Sequence, residues 1–370
     1  METTSRKNIL LVTTELRPGG AEKCLARLAC GLNKERFRTM VVSIASRPRG
    51  SQAKLVEQLE DQKIPIRFLN CDSKWSLWSA IRQLKQIVGE FQADIVQSFL
   101  IHANVVAGLA LRRLPKIDFY SGIRVADPSR LRHRIEKWAT KGGRKMICVS
   151  ESVKEFAAQK MGFPPDKLIA IPNSIDQPQL TSSLKLSLER IEKPFVVFVG
   201  RLEPQKGLHA FFQALSKYND KLPAFDLVLI GSGSELDSLQ SATQSMQRNI
   251  HWLGWKDNPL DYLAQSAVKI LPSKWEGMPN VLLEAMSLGK PFVAFGVDGV
   301  TELCPPGSVQ LIQPDNYQKF FESLAQLVTD KEFAKEIGEK NRLHVLENFS
   351  TKKMLAKYEA VYLGDPASPV

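Results

Sequence analysis

Residues 268–284 read VKILPSKWEGMPNVLLE, and this stretch decides the fold because it carries a strand, a loop and a helix start in seventeen positions. Residues 268–271 read as a buried strand stopped by Pro272. Pro279 suits the first helical position, where its missing N–H costs nothing. Glu276 then falls in the loop and Glu284 inside the helix, with seven residues between them. At about 100° per residue they do not share a helix face, so they do not read as acid and base on one bond. They read as two grips on one long ligand. Between them the N–H groups of Met278 to Val281, at the helix start, make a place for phosphate. A phosphate flanked by two hydroxyl-binding carboxylates points to a nucleotide sugar.

The same strand-to-helix step recurs along the chain. Strands are expected near Ile9–Thr13, Met40–Ile44, Ile66–Leu69, Ile95–Gln97, Phe119–Gly122, Met146–Val149 and Leu168–Ile171. After a polar stretch from Asn173 to Lys193, which reads as an interdomain linker, the alternation restarts at Phe195–Gly200. It continues through Leu227–Gly231, His251–Leu253, Val268–Leu271, Phe292–Phe295 and Val309–Ile312. Short apolar strands alternating with helices imply parallel sheets covered on both faces. The fold class is therefore α/β with two similar units, which a length of 370 residues also favours. Helices are expected over Asn316–Thr329, Glu332–Glu347 and Thr351–Leu363, followed by a patternless tail from Gly364.

No apolar run approaches the roughly 18 to 20 residues of a membrane span, and residues 9–14 are too short for a signal-peptide core, so the chain reads as cytoplasmic. Its five cysteines lack both CxxC spacing and the density of a disulfide framework. The net charge of +11 is uneven. Through Asp176 there are 30 Lys and Arg against 17 Asp and Glu, a net of +13; the remainder has 20 against 22. The densest cationic part runs from Arg124 to Lys145. Such a run is either a solvated face or a surface for an anionic partner, a membrane or a phosphate-bearing acceptor. Nucleic acid is not expected, because no stacking aromatics are interleaved with the charges.

Two glycine turns follow strands. Gly19-Gly20 opens a helix, and Gly231-Ser-Gly233 follows a strand with Leu236 where a dinucleotide motif would carry its third glycine. In FVGRLEPQKG, residues 198–207, Arg201 lies just past a strand and Lys206 at the next helix start, the crevice where open α/β sheets hold ligands. Two cations there can neutralise a diphosphate leaving group without a metal.

With EGMPNVLLEAMSLGKP at residues 276–291, these features resemble the family 4 retaining glycosyltransferases of GT-B fold over nearly the whole chain. The resemblance implies two Rossmann-like domains facing across a cleft, residues 1–172 and 173–349, with a C-terminal helix at about 350–364 crossing back to the first. It implies a metal-independent, hexosyltransferase-type enzyme without cofactor, working in polysaccharide, lipopolysaccharide or glycolipid synthesis. Its partners would be a nucleotide diphosphate sugar and a glycan or lipid-linked acceptor; the basic first domain adds the expectation of peripheral contact with an anionic membrane at its inner face. Arg201 and Lys206 would hold the diphosphate, Glu276 the sugar hydroxyls and Glu284 the ribose. Gly19 and Gly20 would bind the donor; Gly277, Met278, Pro279, Asn280 and Val281 would contact sugar and phosphate, while Gly231, Gly233 and Gly254, within Leu253–Trp255, would border the base. Many members carry a histidine directly after the fourth strand, where this chain has Gln97. His102 resembles the active-site histidine of related sequences, and Arg124, past the fifth strand, faces the acceptor in this reading. Two alternatives stay open: a sugar-nucleotide epimerase of the same fold, and a non-catalytic sugar-nucleotide-binding protein.

Overall fold

Strands form where β-branched and aliphatic residues run together, and the near-complete burial of the inner ones on both faces follows from parallel pairing under helices. The computed structural model describes residues 6–73, 76–177, 191 and 194–364. It divides into two units, residues 1–173 with 351–370, and 174–350. The polar stretch read as a linker falls largely outside the described residues, as does the tail beyond Gly364.

The first unit holds β1 (Lys7–Thr13), β2 (Phe37–Ser43), β3 (Ile66–Phe68), β4 (Ile95–Ser98), β5 (Asp118–Ile123), β6 (Lys145–Cys148) and β7 (Leu168–Ala170), with α1 (Gly20–Gly31), α2 (Lys54–Asp61), α3 (Leu77–Phe91), α4 (Ile101–Leu111), α5 (Arg130–Ala139) and α6 (Glu151–Gln159). The second holds β8 (Phe195–Val199), β9 (Asp226–Ile230), β10 (Ile250–Gly254), β11 (Val268–Leu271), β12 (Phe292–Phe295) and β13 (Leu311–Ile312). Its helices are α7 (Leu208–Tyr218), α8 (Leu236–Thr243), α9 (Pro259–Gln265), α10 (Asn280–Ser287), α11 (Asp298–Glu302), α12 (Tyr317–Thr329) and α13 (Lys331–Asn348). The chain then returns to the first unit in α14 (Thr351–Leu363). Sheet orders are β3-β2-β1-β4-β5-β6-β7 and β10-β9-β8-β11-β12-β13, with every pairing parallel. Each order reverses once, between β1 and β4 and between β8 and β11. At such a point the following loops leave toward opposite faces and open a crevice at the carboxyl edge. One expectation is corrected: Pro279 is not the first helical residue but caps α10, with φ −75° and ψ 110°.

In the first unit, α14 completes the core. Met354, Tyr358 and Tyr362 are buried among Ile9, Leu25, Phe37 and Tyr120. The Tyr362 ring meets those of Phe37 and Tyr120 edge-on at 6.2 and 5.6 Å. Tyr120 Oη donates to the Val361 carbonyl at 3.1 Å, and Lys7 Nζ to the Tyr362 carbonyl at 2.9 Å. On the other sheet face, the Asn104 side chain on α4 makes four hydrogen bonds, all it can form. It accepts from Ser98 Oγ (2.6 Å) and the Gly122 N–H (3.2 Å), and donates to the Gly122 carbonyl (2.9 Å) and Glu136 Oε1 (2.5 Å). One amide thus ties β4, β5, α4 and α5. Burial pushes the Glu136 carboxyl up to about 7, against the opposing bond from Asn104. Among the described residues no helix is long and apolar enough to cross a membrane.

If α14 is part of the first core, Tyr362→Ala leaves a cavity against Phe37 and Tyr120 and costs about 3 to 5 kcal/mol, as for other buried aromatic truncations. Urea unfolding followed by circular dichroism measures it, and a midpoint equal to wild type would show that the helix adds nothing to that core.

Candidate active site

The reversal between β8 and β11 places two loops side by side, residues 200–207 and 272–279. One backbone bond and one side-chain bond clamp them: the Lys274 N–H donates to the Gln205 carbonyl and Gln205 Nε2 to the Trp275 carbonyl, both at 2.8 Å. Gly207 lies at φ 69°, and a Cβ there would stand 2.3 Å from the Pro272 carbonyl oxygen, so only glycine permits this approach. The clamp brings Lys206 Nζ to 2.6 Å from Glu276 Oε1, with 12% and 6% of the two side chains exposed. Ser273 Oγ donates to the same carboxylate oxygen at 2.7 Å, and the Glu276 N–H donates to Asp298 Oδ2 at 3.1 Å. Glu276 is therefore held at both ends.

Pro279 caps α10 directly after this loop, so the positive end of the helix lies next to the ion pair. Leu282 and Leu283 direct their N–H groups to the Pro279 carbonyl. Gly277, Met278 and Asn280 are buried there, Val281 is half-buried, and Glu284 is buried one turn further on. Arg201 is exposed just beyond β8. The Gly200 N–H donates to the Ile230 carbonyl and the Leu202 N–H to the Ser232 carbonyl, which draws the turn after β9 against the loop after β8. Gly231, at φ 142°, would put a Cβ 1.9 Å from the Gly200 carbonyl oxygen, and Gly233 one 2.3 Å from that of Leu202. The Gly231 N–H donates to the carbonyl of Gly254, the last residue of β10, at 2.9 Å. The turns expected to border a base thus adjoin the loop carrying Arg201 and Lys206.

The sequence reading took residues 268–271 as an ordinary buried strand and missed Lys269. Its side chain is fully buried, its Nζ 2.8 Å from the Ile270 carbonyl oxygen, 3.4 Å from that of Val199 and 4.7 Å from the Phe198 ring centroid. Burial holds the ammonium well below its usual pKa, and the charge of Lys206 adds to the shift, while Glu276 and Glu284 oppose it. A second amine thus lies within electrostatic reach of Lys206, Glu276 and Glu284. Ser273 and Asp298, which fix Glu276, were missed as well; Asp298 reaches the loop from twenty-two positions away, and Ser273, three residues before Glu276, shows its bond only once the loop is folded.

At the other reversal, in the first unit, Gly19 caps α1 in extended conformation and Gly20 begins it. A Cβ on Gly19 would fall 2.3 Å from Glu22 Oε2, whose side chain is itself buried. Gln97 is fully buried on β4, and its Oε1 lacks a hydrogen-bond partner among the described residues. It pairs in register with Leu11, so Thr13, two residues on, faces the same side, and its Oγ1 is likewise unsatisfied. His102 is exposed in the first turn of α4, directly after Leu100, which is held at φ 72°. The Arg124 guanidinium hydrogen-bonds to Asn173 and lies 5.7 Å from the Phe99 ring centroid, so contacts within the first unit fix it.

Residues 185–344 match the family model described as glycosyl transferases group 1, and residues 18–177 match that of Glycosyltransferase Family 4. The chain is 29% identical over 245 residues to the UDP-Gal:alpha-D-GlcNAc-diphosphoundecaprenol alpha-1,3-galactosyltransferase of Escherichia coli, an alignment spanning 62% of each chain. It is 24% identical to an uncharacterized glycosyltransferase of Haemophilus influenzae over 93% of this chain and 96% of that one. Among solved structures, Anabaena Alr3699/HepE in complex with UDP and glucose superposes with a TM-score of 0.81 at 20% identity, covering 97% of this chain and 100% of that one. At that identity the likeness establishes the GT-B fold.

Because Lys269 has a lower pKa folded than unfolded, the unfolded chain binds more protons and stability rises with pH in the window below 10.5. Lys269→Met is expected to flatten that rise, seen as thermal melts whose difference from wild type shrinks from pH 7 toward pH 9. A constant difference would mean that the amine is not titrating in the core.

Proposed function

Since the chain belongs to glycosyltransferase family 4, we propose that it moves a sugar from a nucleotide diphosphate sugar to an acceptor hydroxyl with retention of anomeric configuration, without a metal. The observation that carries this reading is the Lys206–Glu276 pair, clamped at the reversal of the second sheet beside the start of α10. A diphosphate entering that crevice takes Lys206 as its counter-charge, while Glu276 keeps its bond to Ser273 and turns its remaining acceptor capacity to sugar hydroxyls. Arg201, exposed on the same loop, supplies a second cation to the leaving group, which is the role a metal plays elsewhere. Glu284 holds the ribose, and the Gly231–Gly254 contact borders the base.

The acceptor oxygen bonds to the anomeric carbon on the face from which the diphosphate departs. As the carbon–oxygen bond to phosphate breaks, the acceptor proton passes to the departing phosphate oxygen, giving the glycoside and a nucleoside diphosphate. The protein's share is positioning and charge stabilisation. At the carboxyl edge of the first sheet, His102 is assigned to the active site and Arg124 to the acceptor. The acceptor is a glycan or lipid-linked intermediate presented at an anionic membrane, which the +13 charge of the first half and the lipid-linked substrate named for the Escherichia coli relative support.

Two measurements test this. Lys206→Gln is expected to lower kcat/KM by roughly 10²-fold, the scale of losing one preorganised electrostatic contact, while a thermal melt confirms that the variant folds. Near wild-type turnover would remove Lys206 from the diphosphate site. Screening UDP, GDP and ADP sugars by thermal shift should raise stability by about 2.7 kcal/mol at a hundredfold excess over Kd for the correct donor. A chain that binds none of them, or that epimerises the donor without acceptor, is not the transferase described.

A further inference from the structure

Helix α5 is built inside out. Its inward side carries His133, Glu136 and Thr140, all buried polar residues. The His133 Nε2 lies 2.5 Å from the Asp127 carbonyl oxygen, Glu136 Oε1 accepts from Asn104, and Thr140 Oγ1 donates to the Glu136 carbonyl. Gly108 on α4 permits the close packing, since a Cβ there would stand 2.3 Å from the Ala139 carbonyl oxygen. The outward side carries Leu131, Ile135 and Trp138, exposed to 68%, 43% and 52%. Spaced by four and three residues, these three form one stripe within about 60° of arc. A helix solvated by water alone would place its polar residues outward and its aliphatic ones inward. Here directional bonds hold the polar face in, leaving three large apolar side chains in solvent.

Cations border the stripe. Arg130, Arg134 and Lys141 are exposed, and none is ion-paired with a carboxylate among the described residues. The Arg112 guanidinium sits 4.8 Å from the Trp138 ring centroid. The helix's single carboxylate, Glu136, is on the buried side. We infer that α5 is a lipid-docking helix that lays Leu131, Ile135 and Trp138 into the interface of an anionic bilayer, with Arg130, Arg134 and Lys141 on its phosphates. At ten residues the helix is far too short to span the bilayer, and it suits the interfacial plane, where an apolar stripe and basic flanks act together. A second copy of the chain fits the face poorly, because a symmetric pairing would bring the same cations together. The docking helix rests on the membrane-presented acceptor for its purpose and on the face of α5 for its place.

The test is co-sedimentation of the full chain with vesicles of phosphatidylcholine, with and without phosphatidylglycerol, at low and high salt. Wild type should bind the anionic vesicles, lose them at high salt and leave the neutral ones. The double variant Leu131→Ser with Trp138→Ser should partition at least about tenfold less at unchanged melting temperature. Arg130→Gln with Arg134→Gln should lower binding roughly 30-fold on anionic vesicles only. Failure of wild type to bind, equal partitioning of the variants, or an oligomer that the serine variant dissolves would each overturn the assignment. Donor thermal shifts on the same samples separate the two readings: intact donor binding without vesicle binding removes only the docking helix, and loss of donor binding in wild type removes the transferase reading.

Discussion

In a parallel sheet every strand ends at the same edge, and where the strand order reverses the loops beyond two neighbouring strands must part. That constraint places the second unit's candidate site. β8 and β11 are neighbours at the reversal, so the loops after them, although far apart in sequence, meet at the mouth of the crevice. Their hydrogen bonds and the glycine contact at Pro272 fix a separation at which Lys206 reaches Glu276. Ser273, Asp298 and the start of α10 gather around that pair. A nearly buried ion pair is weak evidence for stability, because desolvation offsets much of its Coulomb energy. In the proposed reading it preorganises charge for an anionic ligand.

Lys269 sharpens that view. A fully buried amine within electrostatic reach of the ion pair is costly to keep charged, so burial lowers its pKa. Its Nζ lies near the Val199 carbonyl, at the end of the strand that leads to Arg201. The loop after β8 therefore carries two cations, and an amine of depressed basicity is buried on the neighbouring strand.

The first unit is organised differently. Its core is closed by a helix from the far end of the chain, and its α5 is fastened through polar contacts centred on Asn104. The basic run from Arg124 to Lys145 was open between a solvated face and a surface for an anionic partner. Structure distinguishes its members: Arg124 is fixed by Asn173 and Phe99, Arg132 pairs with Asp127 and Arg144 with Asp118. Arg130, Arg134 and Lys141 remain beside an exposed apolar stripe. Composition could not make that distinction, because the pairing carboxylates lie outside the helix or across the sheet.

Read alone, the sequence determined the α/β class, the thirteen strands to within a few residues, and the placing of Glu276 in a loop and Glu284 in a helix. Those are local matters: apolar runs, proline and glycine report on the few residues around them. Tertiary structure alone decided the rest. It set the strand order, joined Lys206 to a carboxylate seventy positions away, buried Lys269 within reach of that pair's charge and turned the apolar side of α5 outward. These depend on which distant segments pack together, and hydrophobic periodicity says that a face is buried without saying against what.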